Sequence, residues 1–185
     1  DQNSQSQLVI WDQITVRGYF VSDARDNVGD IIVVTVELEF EYDDSDVTTG
    51  TVTANSISFT YTGSQGRWST SRMQTSVTSE TFNSVVVSGN IYLISDVNQN
   101  GKSQVIIWDR IQVLTTTVND DRINTGTSAE IRVTLILEYD STPLGAGDTV
   151  TLNGVSMTWD GVDLRFELLR SQANVGLWTY FVNSS

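Results

Sequence analysis

The chain has 185 residues, with 23 acidic and 10 basic side chains, a formal charge of −13 and a pI near 4.1. That balance leaves no basic footprint for nucleic acid, and anionic membrane surfaces would repel it. Histidine and cysteine are absent, which removes the commonest general base, the commonest transition-metal ligand, thiolate chemistry and any disulfide framework.

In chain order, Leu8–Val21 reads as a strand with a bend near Trp11-Asp12. Asp23–Asp30 is a turn, in which Arg25 and Asp23 are expected to fix the loop and Gly29 to supply a positive φ. Val34–Tyr42 alternates strictly: Val34, Val36, Leu38, Phe40 and Tyr42 one way, Thr35, Glu37, Glu39 and Glu41 the other. Period two marks a strand with one buried and one wet face. After the polar turn Asp43–Gly50, a hairpin is expected around Asn55-Ser56. Gly63–Gly66 is a further turn, and strands follow at Arg67–Met73, Thr81–Val87 and Ile91–Val97.

The pattern then starts again. DQNSQSQLVIWDQITV at 1–16 and NQNGKSQVIIWDRIQV at 98–113 share nine of sixteen residues. The match continues through Asp23/Asp120, Arg25/Arg122, Gly29/Gly126 and Glu41/Glu138, then, after one inserted residue, through Asn55/Asn153, Arg67/Arg165 and Thr81/Thr179. The second hairpin carries Asn153-Gly154, the strongest type I′ signal. Leu164–Arg170 reads as a strand because its partner Arg67–Met73 is rich in Ser and Thr. An internal repeat of this kind decides the architecture. The expected fold is all-β: two tandem Ig-like antiparallel β-sandwich domains related by duplication, at 1–97 and 98–185. No run approaches the ~18 apolar residues of a membrane span, so no membrane insertion is expected.

The copies end differently. By alignment the second lacks a partner for Ile91–Val97, read as the last strand of the first. An unpaired edge invites another chain. The segment Gln2–Val16 of a neighbour, with Gln2, Leu8, Ile10 and Val16, is the candidate to cover it, against Thr179 and Phe181. Head-to-tail addition of that kind produces open fibres.

Other constellations carry alternatives. Asp96, Asn98 and Asn100, followed by Gly101, fit the first half of a calcium loop, although Ile107 stands where the closing Glu belongs. The same residues also read as a polar turn between modules. Acidic clusters at Asp43-Asp44-Ser45-Asp46 and Asn119-Asp120-Asp121 read as solvated turns rather than a glycosidase pair. Trp11, Trp68, Trp108, Trp159 and Trp178 read as core anchors, with a sugar-stacking platform as the alternative.

The phrases VIIWDRIQV, VNDDRINTG, IRVTLILEYDSTPL and GDTVTLNGVSMTW, with SVVVSGNIYLISDVNQNGKSQ, resemble the tandem Ig-like repeats of large archaeal cell-surface proteins. The resemblance covers both copies; WDQI and EYDDSDV in the first depart from the pattern. It implies an extracellular setting at the cell surface and carries no catalytic residues. The expectation is a non-catalytic structural or adhesive protein, a surface-layer, spacer or filament unit. Its expected partner is itself or a neighbouring surface protein. The alternative is a carbohydrate-binding module that takes a glycan with calcium assistance.

Overall fold

The computed structural model describes residues 7–184, the Ser184 side chain excepted. The described residues form strands and turns without helix, in two compact units that divide after Trp108.

Ten strands lie in unit 1: β1 (Ile14–Val21), β2 (Arg25–Asn27), β3 (Ile31–Phe40), β4 (Thr51–Ala54), β5 (Ile57–Tyr61), β6 (Arg67–Met73), β7 (Thr78–Phe82), β8 (Val85–Ser88), β9 (Val97–Asn98) and β10 (Gln104–Asp109). Seven of them form one sheet in the order β8-β4-β5-β6-β3-β1-β9, and three form another in the order β2-β10-β7. The alternation predicted for β3 holds, with Val34, Val36, Leu38 and Phe40 buried. Tyr42, expected on the same face, lies past the strand end and is exposed. Both sheets feed one core: Ile14, Val36, Leu38 and Trp68 from the larger, Phe82, Ile106 and Trp108 from the smaller. Phe59 and Phe82 meet edge to face at 6.0 Å.

Seven strands belong to unit 2: β11 (Ile111–Val118), β12 (Ser128–Leu137), β13 (Val150–Leu152), β14 (Val155–Ser156), β15 (Thr158–Asp160), β16 (Arg165–Ser171) and β17 (Val182–Ser184). Their sheets run β11-β12-β16-β15 and β14-β13-β17. The core is smaller, built on Ile131, Val133, Leu135, Leu144, Val150, Leu152, Met157 and Phe166.

Local details recur at repeat-equivalent positions. The β1–β3 ladder bulges between Val16 and Gly18, and the β11–β12 ladder between Val113 and Thr115. Both predicted hairpins are present, with Ala54 opposite Ile57 and Leu152 opposite Val155. Their central residues all have positive φ: Asn55 (49°), Ser56 (66°), Asn153 (49°) and Gly154 (77°). Gly66 is held by sterics of its own: a Cβ there would lie 2.1 Å from the Leu38 carbonyl oxygen, while Leu38 donates its N–H to the Gly66 carbonyl at 3.0 Å.

Three expectations need correction. Thr81–Val87 is two strands, β7 and β8, broken between Phe82 and Val85. Of Ile91–Val97, Val97 alone is in a strand, β9; Ile91, Tyr92 and Leu93 are exposed, and the Asn90 side chain ties the turn by accepting N–H bonds from Tyr92 and Ile94. The break falls after Trp108, not after Val97, because β10 packs into unit 1 although its residues open the second repeat.

Two outcomes follow. Trp108→Ala should cost unit 1 about 3–5 kcal/mol, since it empties a fully buried aromatic site; chemical denaturation measures it, and a loss near zero contradicts the packing. Ser56→Gly should stabilise the same unit by about 0.5–1 kcal/mol by relieving its positive φ; an unchanged or lower midpoint contradicts that.

Candidate functional site

The three-stranded sheet of unit 1 hangs on its middle strand. β7 runs antiparallel to β10, with Phe82 opposite Gln104 and Thr78 opposite Trp108. On the other side Ile107 donates its N–H to the Ala24 carbonyl at 2.9 Å. β2 and β7 are not neighbours, so neither would have a ladder partner without β10. The middle strand alternates: Ile106 and Trp108 are 0 % exposed, while Val105 faces solvent. The Trp108 indole N–H donates to the Asp30 carbonyl at 3.0 Å, which satisfies its buried polar atom.

Both flanks of this strand are fixed within unit 1. The Asn55 side-chain amide donates to the Thr81 carbonyl. Gly29 donates its N–H to the Gln74 carbonyl at 2.8 Å, and Arg25 its backbone N–H to Asp23 Oδ1 at 3.0 Å. Unit 2 builds the same supports. Asn153 Nδ2 donates to the Thr179 carbonyl at 3.1 Å, and Asn153 Oδ1 accepts the Phe181 N–H at 2.7 Å. Gly126 donates to the Gln172 carbonyl at 2.8 Å and Arg122 to Asp120 Oδ1 at 3.0 Å. The loop role expected of Asp23/Arg25 and Asp120/Arg122 is thus a backbone turn.

Between these supports unit 2 differs. Among the described residues, 122–124 and 176–180 form no strand, and no strand pairs with either. Val175, Leu177 and Trp178 are exposed there. The gap reaches the core: Val16 is 0 % exposed, whereas its repeat counterpart Val113 is 45 % exposed. The candidate site is therefore this irregular stretch of unit 2, with Val113, Val175, Leu177 and Trp178 exposed along it.

Unit 1 carries a segment of matching sequence. Gln7–Asp12 reads QLVIWD and β10 reads QVIIWD. Leu8, Val9, Ile10 and Trp11 belong to no strand and are exposed, Trp11 at 86 %. The next residue changes role. Asp12 Oδ1 accepts the N–H of Gln13 (2.8 Å) and of Tyr42 (2.9 Å), and Asp109 Oδ1 those of Arg110 (2.8 Å) and Tyr139 (2.9 Å). In each copy the aspartate therefore anchors the unit that follows it. Trp108, one step earlier, packs in the unit before.

The residues singled out from sequence fall as follows. Gln2 lies outside the described residues. Leu8 and Ile10 are exposed on the free segment, Thr179 lies in the irregular stretch and Phe181 next to it. Val16 is corrected: it sits opposite Leu38 within unit 1's own core and cannot serve a neighbour. Sequence reasoning missed Val9 and Trp11, although their counterparts Ile106 and Trp108 shared the repeat. Trp11 is also corrected as a core anchor; Trp68 and Trp108 are buried as expected. Asp96, Asn98 and Asn100 are exposed, Asn98 in β9 and the others on either side of it; Asp96 accepts the Ile14 N–H through its carbonyl and Asn98 Oδ1 accepts the Asn100 N–H at 2.9 Å. Asp160, Asp163 and Glu167 bring carboxylate oxygens within 4.8 Å of one another, but Arg165 sits among them, 2.7 Å from both Asp163 and Glu167. A shallow depression in unit 1 is lined by Trp11, Asp12, Gln13, Glu41, Tyr42 and Asp96.

One ion pair braces the flank β7. Arg72 donates to Glu80 through Nε (2.9 Å) and Nη2 (2.7 Å), and Gln74 adds a third bond at 2.6 Å. These contacts, Arg72 first, hold the Glu80 carboxyl below its ordinary 4.5, against the opposing effect of burial. The repeat counterpart of Glu80 is Trp178, so unit 2 has no such clamp at this position.

No family model matches the chain, and no curated protein matches it. Among solved structures it is similar to the adhesin InvE of Yersinia pseudotuberculosis, with 15 % identity and a TM-score of 0.33. That alignment covers 94 % of this chain and 50 % of the other, so the chain spans half the length of that structure.

A depressed carboxyl stabilises the folded state fully above the unfolded pKa, and that contribution fades as pH falls through the lowered folded value. Glu80→Gln should therefore melt below wild type at neutral pH, with the gap closing as pH drops below about 4.5. Thermal melts from neutral pH to strong acid check this; a gap constant with pH contradicts it.

Proposed function

We propose that the chain is a non-catalytic structural or adhesive unit of an extracellular surface assembly, and that its two units are Ig-like sandwiches descended from one duplicated module. Copies join head to tail by β-strand addition, as β-structured surface proteins do when one subunit supplies a strand to another. A single observation carries this reading. The opening segment of the second repeat is the middle strand of the preceding unit's sheet, not part of its own. A repeat built that way offers a strand at its start and an open strand position at its end. Such a contact is heterologous, and its repetition extends as a filament when the rotation between copies does not close a ring. The acidic surface, poor in lysine, keeps the units soluble and apart except where apolar side chains meet.

Negative-stain imaging and sedimentation of the purified 185-residue chain test the proposal. The expected result is linear multimers with a regular two-bead repeat that lengthen with concentration. Single particles of one chain mass at every concentration, also after denaturation and refolding at high concentration, would falsify it.

A further inference from the structure

We infer that the free segment Gln7–Trp11 of a second copy enters unit 2 as an antiparallel strand in one register, with Trp11 as its anchor. The inference rests on the head-to-tail reading above and adds to it the donor residues, their register and the source of their selectivity.

The register comes from β10. In unit 1 Gln104 faces Phe82, Val105 faces Thr81, Ile106 faces Glu80, Ile107 faces Ser79 and Trp108 faces Thr78. Carried through the repeat, Gln7 faces Tyr180, Leu8 faces Thr179, Val9 faces Trp178, Ile10 faces Leu177 and Trp11 faces Gly176. The supports for this geometry are already in place, since Asn153 holds the backbone at Thr179 and Phe181 as Asn55 holds it at Thr81. Val9 and Trp11 take the inward positions of Ile106 and Trp108, and the strand approaches Val113, whose counterpart Val16 shares one core with Ile106 and Trp108. The Trp11 indole N–H falls to the Thr127 carbonyl, the repeat counterpart of the Asp30 carbonyl that accepts from Trp108.

The two junctions differ in chemistry. Inside the chain, Ile106 and Ile107 meet Glu80 and Ser79; at the open position, Val9 and Ile10 meet Trp178 and Leu177. A contact between copies has no covalent link to hold its partner close, so it needs more apolar burial than one within a chain. The exchange of a glutamate and a serine for Trp178 and Leu177 supplies it. The donor is apolar on both faces, so Trp11 selects the register: a slip by one residue turns it outward and away from the Thr127 carbonyl.

The chain has no cysteine, so introduced thiols report cleanly. Leu8→Cys and Thr179→Cys are made in separate full-length chains; both positions are exposed and neither enters a core. The two variants are mixed, refolded and mildly oxidised. The expected product is a reductant-sensitive species of twice the chain mass, at least tenfold above that from Leu8→Cys mixed with the out-of-register Val175→Cys. Adding Trp11→Ala to the Leu8→Cys chain should lower the yield at least tenfold while its own melting temperature stays unchanged, because Trp11 is exposed in its own unit. Filaments without the in-register cross-link, or with equal cross-linking at Val175, overturn the inference and leave the assembly reading standing. Absence of both filaments and cross-link overturns both.

Discussion

The ladder between β10 and its two flanks is the constraint on which unit 1 depends. A strand satisfies its backbone only through neighbours, and β2 and β7 share one neighbour. That strand also delivers the largest fully buried side chain of the unit, Trp108. Backbone pairing and apolar burial thus arrive together, from residues that lie after the polar turn at Gln99–Lys102. In unit 2 the equivalent asparagine bonds are made, but 122–124 and 176–180 are irregular and Val113 is exposed.

The step from Trp to Asp explains how one short motif serves two units. The tryptophan needs a deep apolar site and a carbonyl for its indole N–H, which the preceding unit provides at Asp30. The aspartate needs backbone N–H donors, and these come from the following unit, at Tyr42 in one copy and Tyr139 in the other. Trp108 and Asp109 are therefore held by different units, the one by a core and the other by backbone N–H groups.

Polar side chains do much of the local shaping. Asn55 and Asn153 each clamp a hairpin to a distant backbone stretch, and Asn90 closes the turn that replaces the expected strand. Amides suit this work because one side chain offers both donors and an acceptor. Gln99 does the same across the unit, donating to and accepting from the Val85 backbone at 2.8 and 2.9 Å. In a chain with no cysteine, such bonds and the apolar cores hold the loops in place.

Local pattern determined most of the strands by itself. Alternation in Val34–Tyr42 set the buried face, Asn-Gly and Asn-Ser set the hairpins through positive φ, and the repeat announced two equivalent units. These signals are legible because they depend on neighbours within a few residues. The sequence placed the unmatched strand of the second copy at the counterpart of Ile91–Val97, whereas the segment that completes the smaller sheet of unit 1 is β10. It could not say which unit owns VIIWD, since a strand's allegiance is decided by the core that buries Ile106 and Trp108 and by the edge that pairs its backbone, both distant along the chain. For the same reason Trp11 and Trp108, identical in context, differ entirely in burial. Only tertiary structure decided that: a side chain is buried where a complementary open strand position exists, and its own residue type carries no record of where that position lies.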